Sequence, residues 1–393
     1  MIGPRRAVVA GHICLDIIPD VSAIEPGIFN AQFRPGHMLE AGQATLATGG
    51  PVSNTGLALH RLGVPVRLIA KVGDDAFGHV VERIINAIEP DLLAGMKLDP
   101  QATTSYTIII SPPHTDRIFL HCPGANHDFC SADVSFDQLA QTDLLHFGYP
   151  PVMRRMYADG GHELVDLMRR AKSIGVTTAL DLCYPDPTSE AGQLDWAAIF
   201  RAVLPYVDIF VPSLEELLFM LRRQTHVDLS THGDIVEQAT PELLTGIGDE
   251  LIGLGVKIAL IKLGARGAYL RTAPIAAFDH LGRACPTDRE MWADRELWVP
   301  CFKVDVVGTT GSGDATIAGF LSAILRDASP ETAMTMAVAV GACNVEAADA
   351  LSGIRTWDET AARMAKGWER QLLPLDAPGW RWDAQFGLWR HEA

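Results

Sequence analysis

No apolar run in this sequence approaches the ~20 residues that a helix needs to span a bilayer. The basic start, Met1 to Arg6, leads into a short apolar stretch that soon meets Gly11, His12 and Asp16. It reads as a first strand and not as a secretory signal. Cys-x-x-Cys pairs are absent. The seven cysteines are scattered from Cys14 to Cys343, which fits reduced thiols in a cytoplasm. Basic charge is scarce: 32 Lys and Arg stand against 48 Asp and Glu, a net charge of −16. That balance repels nucleic acid and anionic membrane, and no basic cluster is large enough to offset it. Internal repeats and low-complexity segments are missing. The 393 residues, 48% hydrophobic and 20% charged, have globular composition and ample chain to bury a core.

The chain is organised around the stretch from Val306 to Phe320. Its pattern predicts an apolar β-branched strand, a small-residue turn, and a long apolar helix to about Leu325. Gly311 and Gly313 permit backbone conformations closed to other residues, and close approach of a ligand. A turn that opens a helix aims unpaired N–H groups and the positive end of the helix dipole the same way. The turn thus makes an anion site, suited to a phosphate that gains charge during transfer. Asp314 sits at its edge. A carboxylate there disfavours simple phosphate binding, but it can accept a proton from a hydroxyl that attacks the phosphate. The alternative is a glycine-rich loop with Asp314 as an ordinary helix cap. No Gly-Lys-Ser/Thr follows, which excludes a Walker loop, and the dinucleotide fingerprint is absent.

Earlier in the chain, Ala7 to Gly11 reads as a buried strand that Ile13 to Ile18 continues. Asp16 is its one acid, either a capped strand-end carboxylate or an acceptor for substrate hydroxyls. Residues 19–48 are punctuated by Gly and Pro without helical period. Gly49 and Gly50 would bring backbone amides near a ligand, and Asn54, in the small-residue helix that follows, offers donors and an acceptor. Thr103 to Ile110 and Arg117 to Leu120 read as a hairpin; Arg117 is either a substrate contact or a solvated edge charge. His121, Cys122, His127 and Cys130 are close enough to raise zinc, but their spacing matches no common finger.

From Asp143 strands and helices alternate, which implies a parallel sheet covered on both faces, with ligands beyond the strand C-termini. Asp181, Ser213 and Glu216 all fall at strand ends. Ser213 with Glu216 is also a capping-box pattern. Residues 222–248 read as a polar insertion, and 273–300 as irregular. The strand to Lys262 is followed by a turn with Gly264 and Gly267. Glu331 to Ala348 reads as a small-residue helix that includes Asn344. Residues 367–393 form a Trp-rich extension, read as a clasp on the body or a dimer contact.

Thr309 to Asp314 resembles the second signature of the ribokinase (PfkB) family of carbohydrate kinases, which reads Asp-Thr-x-Gly-Ala/Ser-Gly-Asp. Gly49-Gly50 with Asn54 and Arg61-Leu62-Gly63 resembles the first signature, and Gly73 to Gly78 and Gly124-Ala125-Asn126 match further family elements. The resemblance runs from about residue 8 to about 356. It implies an α/β fold, a ribokinase-like three-layer α/β/α sandwich with a mainly parallel sheet. A kinase domain of residues 1–366 would carry a small β lid from about 14–48 and 103–122. It implies ATP-dependent phosphorylation of a sugar or sugar-derivative primary hydroxyl, with Asp314 as catalytic base and residues 311–313 as anion hole. Asp16, Gly49, Gly50, Asn54 and Arg117 fall on the substrate side. Ser213, Lys262, Gly264, Gly267 and Asn344 fall on the nucleotide side. Glu216 matches the Glu that organises magnesium. Two departures stand out. Ser213 replaces an Asn, and Gly308 replaces the Asp that helps hold a monovalent cation, so potassium activation does not carry over. A nucleoside kinase of the same family and a non-catalytic regulatory protein with this fold are the alternatives. The open edges of the lid strands predict a homodimer through the lid.

Overall fold

The computed structural model describes residues 4–112 and 118–392. Among the described residues, fifteen strands fall into two sheets. The smaller holds β2 (Cys14–Ile18), β3 (Thr45–Gly49), β6 (Tyr106–Ile110) and β7 (Ile118–Cys122), in the order β3-β2-β6-β7. The larger holds β1 (Ala7–Gly11), β4 (Val66–Gly73), β5 (Gly95–Asp99), β8 (Leu144–Gly148), β9 (Thr177–Asp181), β10 (Ile209–Phe210), β11 (Ile258–Lys262), β12 (Ala268–Thr272), β13 (Glu296–Val299), β14 (Trp380–Asp383) and β15 (Leu388–His391). Its order is β14-β15-β13-β12-β11-β10-β9-β8-β1-β4-β5. Every pairing from β5 across to β11 is parallel, and those from β11 to β14 are antiparallel.

Alternation along the strands explains the layers. Ala7 and Val9 join one buried cluster, while Val8 and Ala10 join the other on the opposite face. Helices Pro51–Arg61, Ser312–Leu325 and Pro330–Asn344 cover the first face. Helices His162–Ser173, Trp196–Val203 and Leu214–Leu221 cover the second. The result is an α/β sandwich with a mainly parallel central sheet.

The chain order reverses between β1 and β8, with β4 on one side of β1 and β9 beyond β8. A crevice opens at such a switch point, beyond the strand C-termini. Glycines line it: Gly11 pairs with Gly148. A Cβ on Gly11 would lie 2.5 Å from the Gly148 carbonyl oxygen.

Four expectations are corrected, and the readings of residues 222–248 and of the tail gain detail. Residues 14–18 do not prolong β1; the chain crosses at His12 and Ile13 into the smaller sheet. Residues 19–48 contain a helix, Pro26–Gln32, opened by proline and anchored by buried Phe29 against Val21 and Ile110. Residues 273–300 supply β13, whose pairing with β12 gives it order. Val306 and Val307 form no strand. They are 62% and 63% exposed, with no strand beside them, and the Val307 N–H donates instead to the Val345 carbonyl at 2.8 Å. The span 222–248 includes the helix Arg223–Ser230 and the start of Pro241–Gly253. The Trp-rich tail packs on the body: β15 pairs with β13 and carries β14, extending the main sheet.

Candidate active site

The helix Ser312–Leu325 begins with Gly311 in a left-handed conformation (φ 73°), and this N-cap residue has no side chain with which to cap the helix. A Cβ on Gly311 would lie 2.6 Å from the Ala350 Cβ, so the turn admits only glycine. Asp314, in the first turn, is buried. Its carboxylate accepts from Thr55 Oγ1 at 3.0 Å on one oxygen, and from Asn54 Nδ2 and Tyr149 OH, each at 3.0 Å, on the other. Burial raises its pKa above the usual range, while Asn54, the Lys262 charge, Thr55 and Tyr149 pull it back. Such a carboxylate is oriented on both oxygens and more basic than an exposed one.

Asn54 and Thr55 come from the helix Pro51–Arg61, which packs against Ser312–Leu325. Gly50 precedes it at φ 84°, where a Cβ would lie 2.4 Å from His12 Nδ1. A Cβ on Gly49 would lie 2.3 Å from Asp16 Oδ2. Gly49 is therefore demanded by the close approach of Asp16 on β2, and Gly50 by its positive φ and by His12 in the crossing from β1 to β2. Burial pushes the Asp16 pKa from 3.8 to about 6, against hydrogen bonds from Cys14 and Thr107. His12 is fully buried, neither ring nitrogen has a partner among the described residues, and burial with His121 and His127 nearby lowers its pKa to about 3. Its ring lies 5.4 Å from that of His121 and 6.2 Å from that of Tyr149.

On the other side of Asp314, Lys262 ends β11. Its Nζ donates to Asp181 Oδ1 at 2.8 Å, at the end of β9. Burial works to lower the Lys262 pKa, but Asp181, Glu216 and Asp314 outweigh it and keep the ammonium charged. Burial raises that of Asp181, whose Oδ2 has no partner among the described residues. Ser213 and Glu216 form a reciprocal capping box: the Ser213 N–H donates to Glu216 Oε2 at 2.7 Å, and the Glu216 N–H to Ser213 Oγ at 3.3 Å. Lys262, Gly264, Gly267, Ser312 and Gly313 line one cavity of about 300 Å³, whose lining also includes Val304 and Val345. A glycine-lined turn, a helix N-terminus and a buried ammonium facing one cavity suit a polyanion with an apolar end.

The structure thus gathers Asp16, Gly49, Gly50, Asn54 and Asp314 at the switch point, and Lys262, Gly264, Gly267, Ser312 and Gly313 around the adjoining cavity. Asn344 stands apart. It does not line the cavity, and its amide donates to the Ala350 carbonyl at 2.7 Å. Arg117 lies outside the described residues. No group of three or more His, Cys, Asp or Glu among the described residues could hold a metal ion; His121 meets Thr107 Oγ1 instead. Sequence reasoning missed His12, Thr55 and Tyr149, and gave Asp181 no role. Tyr149 had a usable signal, because it directly follows Gly148 at the C-terminal end of β8, beside the switch point.

The family model described as pfkB family carbohydrate kinase matches residues 5–357. The probable fructokinase-6, chloroplastic, of Arabidopsis thaliana is 24% identical over 360 residues, covering 88% of this chain and 79% of that protein. Arabidopsis thaliana ribokinase complexed with ribose and ATP superposes with a TM-score of 0.67 at 18% identity, covering 91% of this chain and 98% of that one. Fructokinase with bound ATP from Xylella fastidiosa also gives 0.67 at 18% identity, over 92% and 99%.

Proposed function

The chain belongs to the pfkB family of carbohydrate kinases, and from that premise we propose that it transfers the terminal phosphoryl group of ATP to a primary hydroxyl of a sugar or sugar derivative. The observation that carries the reading is the placement of Asp314. It is a buried carboxylate, held by three donors, in the first turn of a helix whose N-terminus opens onto a cavity.

In this reading the sugar lies between the small sheet and the switch point. Asp16 and the Oδ1 of Asn54 accept from its hydroxyls, the backbone at Gly49 and Gly50 approaches it closely, and the bare imidazole of His12 meets another hydroxyl. Asp314 takes the proton of the attacking hydroxyl. The N–H groups at Gly311, Ser312 and Gly313 stabilise charge on the phosphoryl oxygens, and positioning with electrostatics supplies most of the acceleration. Lys262 and the Gly264–Gly267 turn hold the remaining phosphates. Asp181, through its unpartnered oxygen, and Glu216, through water, offer the hard oxygen donors that magnesium prefers. When bound with ATP, the ion neutralises charge on the phosphate oxygens. Gly308 leaves no side chain for a monovalent cation. A Cβ there would lie 3.0 Å from the Ala347 and Ala348 carbonyl oxygens.

Two further parts belong to the proposal. The exposed Leu46, Phe119 and Leu120 on the small sheet suit a homodimer through the lid. All seven cysteines are free thiols, which suits a reducing compartment such as the cytoplasm. No described helix is long and apolar enough to cross a membrane.

The test is ADP release from ATP and magnesium across a panel of sugars, keto-acids and nucleosides, with and without potassium. The expected result is turnover on a sugar class, independent of potassium. ATP binding without turnover on any class would overturn the catalytic reading in favour of a regulatory one.

A further inference from the structure

The nucleotide cavity has one wall that the family match does not reach. The match ends at residue 357, yet Gln371 lines the same cavity as Lys262, Ser312 and Gly313. The backbone that carries it is firmly held. The Gln371 N–H donates to the Cys301 carbonyl at 2.7 Å, and the Lys303 N–H to the Glu369 carbonyl at 2.8 Å, so 369–371 run antiparallel to 301–303. The Trp368 ring stacks on Phe302 at 4.4 Å and its Nε1 donates to the Lys303 carbonyl at 2.9 Å. The Arg370 guanidinium lies 4.1 Å from the centroid of the Phe302 ring and donates to the Pro300 and Phe386 carbonyls, each at 2.9 Å. Phe302, Val304 and Val345 make the neighbouring walls apolar. Among the described lining residues, Cys301 donates to the Gly264 carbonyl and Thr316 to the Ser312 carbonyl. Gln371 is the one amide side chain there, exposed and with no side-chain partner among the described residues.

We propose that Gln371, supplied by the C-terminal tail, reads the base edge of the nucleotide and selects adenine over guanine. This rests on the kinase reading above. With the phosphates at the 311–313 helix terminus and Lys262, the base falls at the apolar end of the cavity. A glutamine amide offers a donor and an acceptor side by side, which match the N6 donor and ring-nitrogen acceptor of adenine. The O6 and N7 edge of guanine is acceptor only and leaves the amide oxygen facing another acceptor.

Steady-state KM and kcat for ATP and GTP, at saturating sugar, test this in wild type, Q371A and Q371E, with ADP binding by calorimetry alongside. Q371A should raise KM for ATP roughly 5- to 30-fold, with kcat within about twofold, and lower the ATP preference by a similar factor. Q371E, an acceptor-only group, should shift preference further toward GTP by meeting the N1–H and N2–H₂ donors of guanine. A purely structural role for Gln371 would leave the ATP-to-GTP ratio unmoved. Wild-type ADP binding with that ratio unchanged in both variants would overturn the tail assignment alone. No binding of ADP by wild type would overturn the kinase reading, and this assignment with it.

Discussion

Replacing Asp16 by asparagine removes a carboxylate that the fold holds at a cost. Burial moves its pKa from 3.8 to about 6. Between those values the folded protein binds more protons than the unfolded chain, so wild-type stability falls as pH rises through the window. The shift of 6 − 3.8 = 2.2 pKa units corresponds to about 3 kcal/mol above pH 6, of which about 1.6 kcal/mol is already felt at pH 5. Asp16→Asn should therefore be more stable than wild type by up to about 3 kcal/mol at pH 8, with a smaller gain at pH 5. With an unfolding entropy of ~2.1 cal/mol/K per residue, that is about 4 °C in Tm for a chain of this size. The same variant should raise KM for the sugar, because an amide replaces a pure acceptor. Urea unfolding at pH 5 and pH 8, with sugar kinetics at pH 8, reads both effects. An unchanged or lower stability at pH 8, or a gain equal at the two pH values, would refute the reasoning.

Asp314→Asn should lower kcat by about 10²- to 10⁴-fold while leaving sugar binding by calorimetry largely intact; turnover near the wild-type rate would remove Asp314 as the base. Tyr149→Phe deletes one donor to the Asp314 carboxylate, so its pKa should rise and the acid limb of the kcat/KM profile should move to higher pH. Lys262→Met leaves Asp181 buried without its cation, which should cost about 3–5 kcal/mol in denaturant unfolding, and the double variant with Asp181→Leu should recover much of it.

Much of the site was legible because its chemistry is local. The Gly311–Gly313 turn, Asp314 and the helix after it are adjacent in sequence, and a small-residue turn before an apolar helix has few other readings. Ser213 and Glu216 were legible for the same reason, since a capping box spans four residues. The errors came where neighbours decide. Val306 and Val307 have strand propensity but no strand beside them to complete a ladder. Asn344 has the chemistry of a base contact, but its helix aims the amide at Ala350.

The order of apolar strands, small-residue helices and glycine turns was enough by itself to determine the α/β class, because hydrophobic period and glycine conformation act within a few residues. Only the tertiary structure decided which distant groups meet. It brought Asn54, Thr55 and Tyr149 onto one carboxylate 165 to 260 residues away. It paired Lys262 with Asp181, and it folded the tail back so that Gln371 reached the cavity. Those contacts depend on strand order in the sheet, which non-local pairing sets and no short window of sequence contains.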